Sequence, residues 1–420
     1  MVAQASLVNE LASIVGGEYA RGAENADFTV DGMRPAAIVR PGTYEEVASV
    51  MRHASANGLA VIPFGNGRHP FPGNVPTRYD IALSVRRMNR VVEYEPADLT
   101  LTCQAGATVS DLGPSLAAAQ QMLPFGSSAE DSCIGSILAR DRESNLAYGS
   151  ARNFVIGLRV VTADGRIVRA GGKVVKNVAG YDLCKLFIGS LGTIGVIVEA
   201  SFKLAPAPQA EDRIQLEFSS LREACDFAME LYKRGLNLWN VHIRRPASAV
   251  DASPGIDVRV DLAGSAAAVE RSRVEVDRLS KETGATPVAG NSHPGRPEPA
   301  ADASRRPPLT CDMSFLPTDT TALIEAIDRA APGASIGASP ITGWMSCTWL
   351  DGGDNDALIA AVRAAASAFG ATVIVTCSPE LKRRIDVFGE LPPSFELMRR
   401  IKQQFDPNGI LSPGRFVGRL

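Results

Sequence analysis

Only four histidines occur in 420 residues, His53, His69, His242 and His293, and no two of the seven cysteines lie within a CxxC spacing. The compact ligand sets that hold zinc or an iron–sulfur centre are therefore missing. The cysteines, Cys103, Cys133, Cys184, Cys225, Cys311, Cys347 and Cys377, are scattered and odd in number. They read as reduced, buried thiols of a cytoplasmic protein. No segment approaches the run of about 18 apolar residues that a membrane span requires. Direct membrane insertion is not expected, and any membrane association would come through partners. Met1 to Gly17 lacks the basic head and unbroken apolar core of a secretory signal, so Leu7, Leu11, Ile14 and Val15 predict a short surface helix. Charge of one sign is also scarce: the formal net charge is -3, which leaves no electrostatic footprint for nucleic acid or an acidic membrane.

What the chain does have is apolar content, 45% of its residues, enough for two or three domains with cores of their own. Residues 35 to 205 alternate strand and helix signals. Ala36 to Val39 is a short apolar run, and Thr43 with Glu46 forms a capping-box pattern. Val47, Val50, Met51 and Ala54 then share one helical face that ends at Asn57-Gly58, and Leu59 to Pro63 is the next strand. Further strands are expected at Ile81–Val85, Val91–Tyr94, Leu99–Gln104 and Phe154–Thr162. An Asp164-Gly165 turn leads into the hairpin partner Ile167–Ala170. Gly195 to Leu204 closes the domain. Ala205-Pro206-Ala207-Pro208, with two donors removed, marks the boundary and should not join a ladder.

The second half repeats itself. Strand, helix, strand, strand and helix patterns run from Ile214 to Lys281, with a closing strand expected near Ala285. After the proline-rich stretch Asn291 to Pro308 a similar series runs from Cys311 to Cys377. Two β-α-β-β-α-β units would build one antiparallel sheet with helices on one face.

Three glycine-rich stretches carry the chemistry. The first is Pro63-Phe64-Gly65-Asn66-Gly67-Arg68-His69, directly after a strand. Alternate glycines let successive N–H groups converge on an anion such as a pyrophosphate, although a loop of this composition is more often a plain turn. It is neither a GxGxxG fingerprint nor a P-loop. The second runs from Leu123 through Gly126, Ser127 and Ser128 to Cys133, Gly135 and Ser136. Its small residues allow a flat ring close to the backbone. The third spans Gly171 to Ile197. It includes Lys176-Asn177-Val178-Ala179-Gly180-Tyr181-Asp182-Leu183 and then Gly189-Ser190-Leu191-Gly192-Thr193-Ile194-Gly195-Val196-Ile197.

This third stretch resembles the corresponding run in the FAD-binding subunits of bacterial glycolate oxidase, within the vanillyl-alcohol-oxidase/p-cresol-methylhydroxylase (PCMH) flavoprotein superfamily. The resemblance extends from about Pro35 to Pro206 and resumes at Phe405-Asp406-Pro407 and Pro413-Gly414-Arg415. It implies an α+β chain: an N-terminal helix or extension over 1–34, a two-lobed PCMH-type FAD-binding domain over 35–206, an α+β cap domain with an antiparallel sheet over 207–393, and a segment over 394–420 that returns to the FAD domain. It also implies that Pro63 to His69 wrap the pyrophosphate, that Gly126, Ser127, Cys133, Gly135 and Ser136 lie near the flavin and ribityl chain, and that Gly192, Gly195, Val196 and Ile197 meet the adenine.

Departures from the family pattern stand at Arg68, where relatives carry Thr or Ser, at Ser136 for glycine, at Asn153 for aspartate and at Ser412 for asparagine. Arg68 can pair with the FAD phosphates. In relatives with a covalent flavin the attaching histidine aligns with Arg68 rather than His69, so the FAD is expected to be noncovalent. Lys176, beside Asn177, can support the N1 region of the flavin, while Tyr181 filling the core and Asp182 capping a helix is an equally good reading. Relatives that oxidise a D-2-hydroxy acid usually place histidines in the cap for a metal; this chain has none after His293. No metal site is expected. His242 is the one candidate base and Arg244 a candidate carboxylate clamp, against the blander reading of solvated charges on a cap strand.

Three functions compete. The leading expectation is the FAD-binding subunit of a glycolate/D-lactate-type dehydrogenase complex, with a catalytic flavoprotein subunit and an iron–sulfur subunit as partners. The others are a free-standing flavin dehydrogenase of a small alcohol or 2-hydroxy acid, and a scaffold subunit with no cofactor.

Overall fold

The computed structural model describes residues 2–23, 28–67, 72–125, 131–141, 144–172, 182–247, 255–288, 309–350 and 355–420, with side chains from residue 4 onward. The chain divides into two compact units. One comprises residues 1–144, 148–207 and 390–420, and the other 145–147 and 208–389.

The first unit is built on two larger sheets. In the smaller, the strands lie in the order Ala20–Gly22, Ala37–Val39, Ile81–Ser84, Val61–Phe64; the first pair is antiparallel and the rest parallel. The larger is antiparallel throughout, in the order Ile167–Gly171, Val155–Val161, Val196–Lys203, Thr100–Gln104, Val91–Glu95. The helix Tyr44–Asn57 buries Val47, Ala48, Val50, Met51 and Ala54. Its start departs slightly from a capping box. The Thr43 hydroxyl accepts from the Glu46 N–H at 3.0 Å, but the Glu46 carboxylate reaches past the cap to the Gly42 N–H at 2.7 Å.

The N-terminal helix Val2–Val15 lies at the surface with Ser6, Asn9, Glu10 and Ser13 exposed, while Leu7, Leu11 and Val15, four residues apart, form a stripe that closes the same core. One expectation is corrected. Ala205–Pro206 does join a ladder, pairing with Gln121–Met122. Proline lacks only its own donor, and the next N–H, of Ala207, bonds the Gln120 carbonyl at 2.8 Å.

The second unit is an eight-stranded sheet with every ladder antiparallel. Its first half uses Ala210–Phe218, Leu238–Arg245, Ile256–Gly264 and Thr286–Pro287 with helices Leu221–Lys233 and Ala266–Glu282. The second half uses Leu309–Ser314, Ser335–Ser339, Trp344–Trp349 and Thr372–Thr376 with helices Thr320–Ala330 and Asp356–Ser367. In each half the spatial order is fourth, first, third, second, and the two halves meet through their second strands. Arg245 ties them by a two-pronged bond to Asp328, at 2.5 and 2.6 Å, from a strand of one half to a helix of the other. Among the described residues no helix is long and apolar enough to cross a membrane.

The tail closes the first unit. After the helix Phe395–Phe405, Asp406 is fully buried and accepts from the Ile410 and Leu411 N–H groups at 3.0 and 2.8 Å. Lys402, one turn earlier, spends its three donors on Asp406 (2.5 Å), the Leu411 carbonyl (2.8 Å) and the Thr193 carbonyl (2.7 Å). Burial pulls the Lys402 ammonium below its ordinary value, and Asp406 opposes that shift. Residues 410–412 then run beside Val61: its N–H donates to the Ile410 carbonyl and its carbonyl accepts from Ser412.

Two substitutions test this closure. Lys402→Met leaves a buried carboxylate uncompensated and should cost about 3–5 kcal/mol, read as lost hydrogen-exchange protection at Ile410 and Leu411. Unchanged protection there would show that the pair does not hold the tail. Ser412 sits at φ +43° with a buried hydroxyl that has no hydrogen-bond partner among the described residues. Ser412→Gly removes both burdens and should stabilise the fold by about 1 kcal/mol net of the entropy that glycine adds to the unfolded chain, read as a raised thermal midpoint; a lowered midpoint would refute that reading of Ser412.

Candidate functional site

The parallel strand Val61–Phe64 ends in Gly65, Asn66 and Gly67, whose backbone turns against the helix Ile134–Arg140. A side chain at Gly65 would put its Cβ 2.6 Å from the Ser136 Oγ and 2.7 Å from the Cys133 Cβ, so the loop can approach that helix only as glycine. The Gly65 carbonyl accepts from the buried Ser84 hydroxyl at 2.7 Å, and the Asn66 amide donates to the Asp131 carbonyl at 2.5 Å. Phe28 supports the loop from beneath, its ring edge-on to Phe64 with centroids 5.0 Å apart. Among the described residues the Gly65 and Gly67 N–H groups have no backbone acceptor.

The turn at 189–195 forms the opposite wall. The Gly189 and Leu191 N–H groups bond the Leu138 and Ala139 carbonyls at 2.8 and 2.9 Å, sewing the turn to the end of the same helix. Gly192, at φ +70°, lies against Pro63, where a Cβ would be 3.2 Å from the ring. Gly195 has a core reason of its own: its Cβ would fall 2.4 Å from Val160 Cγ1.

Together these walls enclose a single cleft. Of the residues singled out from sequence, Pro63, Phe64, Gly65, Asn66, Gly67, Gly135, Ser136, Gly192, Gly195, Val196 and Ile197 line it. Cys133 is fully buried behind Gly65, its thiol pushed up by burial. Arg68, His69, Gly126, Ser127, Lys176 and Asn177 lie outside the described residues, as does Tyr181. Asp182 does not cap a helix with its carboxylate: the helix Cys184–Phe187 has Leu183 at its cap and no side-chain cap bond, and Asp182 pairs with Lys185 at 3.3 Å.

His242 and Arg244 belong to the other unit. They alternate with the buried Val241 and Ile243 and so share the sheet face away from the helices. The His242 ring lies over Gly337, where a Cβ would be 3.2 Å from Nε2, and its centroid is 6.3 Å from that of Trp344. Among the described residues no group of three or more His, Cys, Asp or Glu gathers as a metal would need. His53 pairs with Glu10 at 3.3 Å.

Sequence reasoning missed six lining residues, among them Leu191, Arg140 and Arg415. Arg140 bonds the Ser136 carbonyl through Nε at 3.2 Å. Arg415 is 4% exposed, and burial brings its guanidinium down to about 10, with Asp31 and Tyr79 acting the other way. The signal for Arg415 was already in the Pro413-Gly414-Arg415 run; what a sequence does not display is that the run folds back onto the loop after Phe64.

The cleft suits a dinucleotide. Backbone N–H groups and two guanidinium groups supply donors for phosphate, and Val85, Leu191, Val196 and Ile197 supply apolar wall for rings.

Comparison with known proteins agrees. Residues 35–171 match the family described as FAD binding domain, and residues 390–416 match FAD linked oxidases, C-terminal domain. The chain thus carries an FAD-binding domain of the FAD-linked oxidase type, and FAD is its cofactor; a scaffold without cofactor is not supported. It is 32% identical over 200 residues to the glycolate oxidase subunit GlcD of Bacillus subtilis, covering 47% of this chain and 43% of that one. It is 31% identical over 201 residues to a D-lactate dehydrogenase of Archaeoglobus fulgidus, covering 47% and 45%. The matched stretch spans less than half of either relative's own length. In fold the chain is similar to substrate-bound p-cresol methylhydroxylase, with TM-score 0.77, 17% identity and coverage of 99% and 97%. The fold is thus α+β and of the PCMH type.

Gly65→Ala should weaken FAD binding by at least about tenfold, because overpacking of about 1–3 kcal/mol must displace either the loop or the helix. Gly113→Ala, where an added Cβ meets nothing within 4 Å, is the control and should bind as wild type. Equal affinities in a flavin titration would show that close packing at Gly65 does not shape the site.

Proposed function

We propose that this chain is the FAD-carrying subunit of a glycolate/D-lactate-type 2-hydroxy-acid dehydrogenase complex. The carrying observation is the convergence of three separated glycine-bearing segments on one cleft of an FAD-binding domain, together with a chain in which only one described histidine, His242, lies in the second unit. The similarity to a glycolate oxidase subunit and a D-lactate dehydrogenase supports the substrate class.

In this reading the Gly65 and Gly67 N–H groups hold the diphosphate without a covalent link, and Ser136 lies beside them. Gly192, Gly195, Val196 and Ile197 offer backbone to the adenine. When bound, FAD supplies two-electron acceptance from a carbon–hydrogen bond and onward electron delivery. The residues of this chain bind and orient it, and the apolar wall at Val85 and Leu191 excludes water. A catalytic flavoprotein subunit meets the 2-hydroxy acid, and an iron–sulfur subunit takes the electrons. A cytoplasmic location, at most peripheral to the membrane through these partners, belongs to the same proposal.

The purified full chain, freed of flavin, should take up FAD and show its visible absorbance. Under anaerobic conditions glycolate or D-lactate should leave that absorbance unbleached in the isolated chain and bleach it in the complex co-purified from the native cell. Bleaching of the isolated chain would instead establish a free-standing dehydrogenase, with His242 and Arg244 the first residues to replace. Failure to bind FAD would overturn the proposal.

A further inference from the structure

We infer that Arg415 is the buried cation that meets the diphosphate of FAD, a role that rests on the FAD reading of the cleft and assigns it a residue outside the glycine-rich loops. Three observations converge on this side chain. It lines the same cleft as Gly65 and Gly67 and is 4% exposed, so its charge acts in a poorly screened setting. Its position is fixed before any ligand arrives. Nη2 donates to the Pro72 carbonyl at 2.5 Å, the Arg415 carbonyl accepts from the Asn74 N–H at 3.0 Å, and the Asn74 side chain donates to the Phe416 carbonyl at 3.0 Å. A Cβ on Gly73 would lie 2.4 Å from the Arg415 carbonyl oxygen, so the two strands of backbone touch only because Gly73 is bare.

The placement selects the diphosphate over the rings. Pro72 and Asn74 follow in sequence from the loop that offers the Gly65 and Gly67 N–H groups, so the guanidinium held by the Pro72 carbonyl belongs to the same stretch of wall as that loop. A planar guanidinium presents five donors in a fork that matches phosphate oxygens, and pre-fixing it lowers the ordering cost of each bond. Burial lowers its affinity for a proton while Asp31 and Tyr79 support the charged form. An entering anion therefore meets a cation that is charged at neutral pH and is already desolvated.

The test uses the full chain freed of flavin, titrated calorimetrically with FAD, with ADP as the diphosphate-bearing half and with riboflavin as the ring-bearing half. Arg415→Gln should weaken FAD and ADP by at least about tenfold and leave riboflavin unchanged, and Arg415→Lys should regain part of the loss. In wild type, ADP affinity should fall as salt rises, and Arg415→Gln should flatten that slope. Unchanged ADP binding in Arg415→Gln, or riboflavin weakened as much as ADP, would overturn the assignment in favour of a residue that only shapes the wall. A salt-independent wild type would overturn it without recourse to any variant. A wild type that binds neither FAD nor ADP would remove the cofactor reading as well; one that binds both while Arg415→Gln matches it would remove this assignment alone.

Discussion

A buried ion pair, Lys402 with Asp406, is the constraint from which the geometry of the cleft follows. Taking an ammonium and a carboxylate out of water is costly unless every donor and acceptor is met. Here the ammonium has three acceptors and the carboxylate three donors. Those partners belong to three different stretches: the last helix, the segment after it and the 189–195 turn. One saturated pair therefore sets the turn, the returning tail and, through Val61, the strand that delivers the glycine loop.

Close backbone approach completes what the ion pair begins. Gly65 against the helix at Ser136 and Gly73 against Arg415 are contacts that a single methyl group would prevent, and at Gly192 a methyl would press on the Pro63 ring. The glycines thus act in two ways. Gly65 lines the cleft as bare backbone, and Gly195, which also lines it, has a packing reason besides, since Val160 fills the place of its Cβ.

The second unit follows another logic. Its doubled β-α-β-β-α-β pattern was readable because helix and strand periods alternate cleanly and the turns carry their usual residues. The junction of the halves was not readable. That the second strands meet, and that Arg245 leaves its neighbour Arg244 to bond Asp328, depends on which edges remain open once each half has folded.

The amino-acid order alone determined most of the strands and long helices, though not the helix Val109–Ala118, and with them the repeat, the three glycine stretches and the class of cofactor, because each rests on local periodicity or on short ordered runs. It did not show what the first helix packs against, because the stripe of Leu7, Leu11 and Val15 is the same whichever core it closes. It also kept Arg415 apart from Phe64, although 350 positions of chain separate two residues that share one wall. Tertiary structure alone decided which glycines face the cleft, which support it and which cations stand there, since burial and electrostatics depend on segments brought together through space.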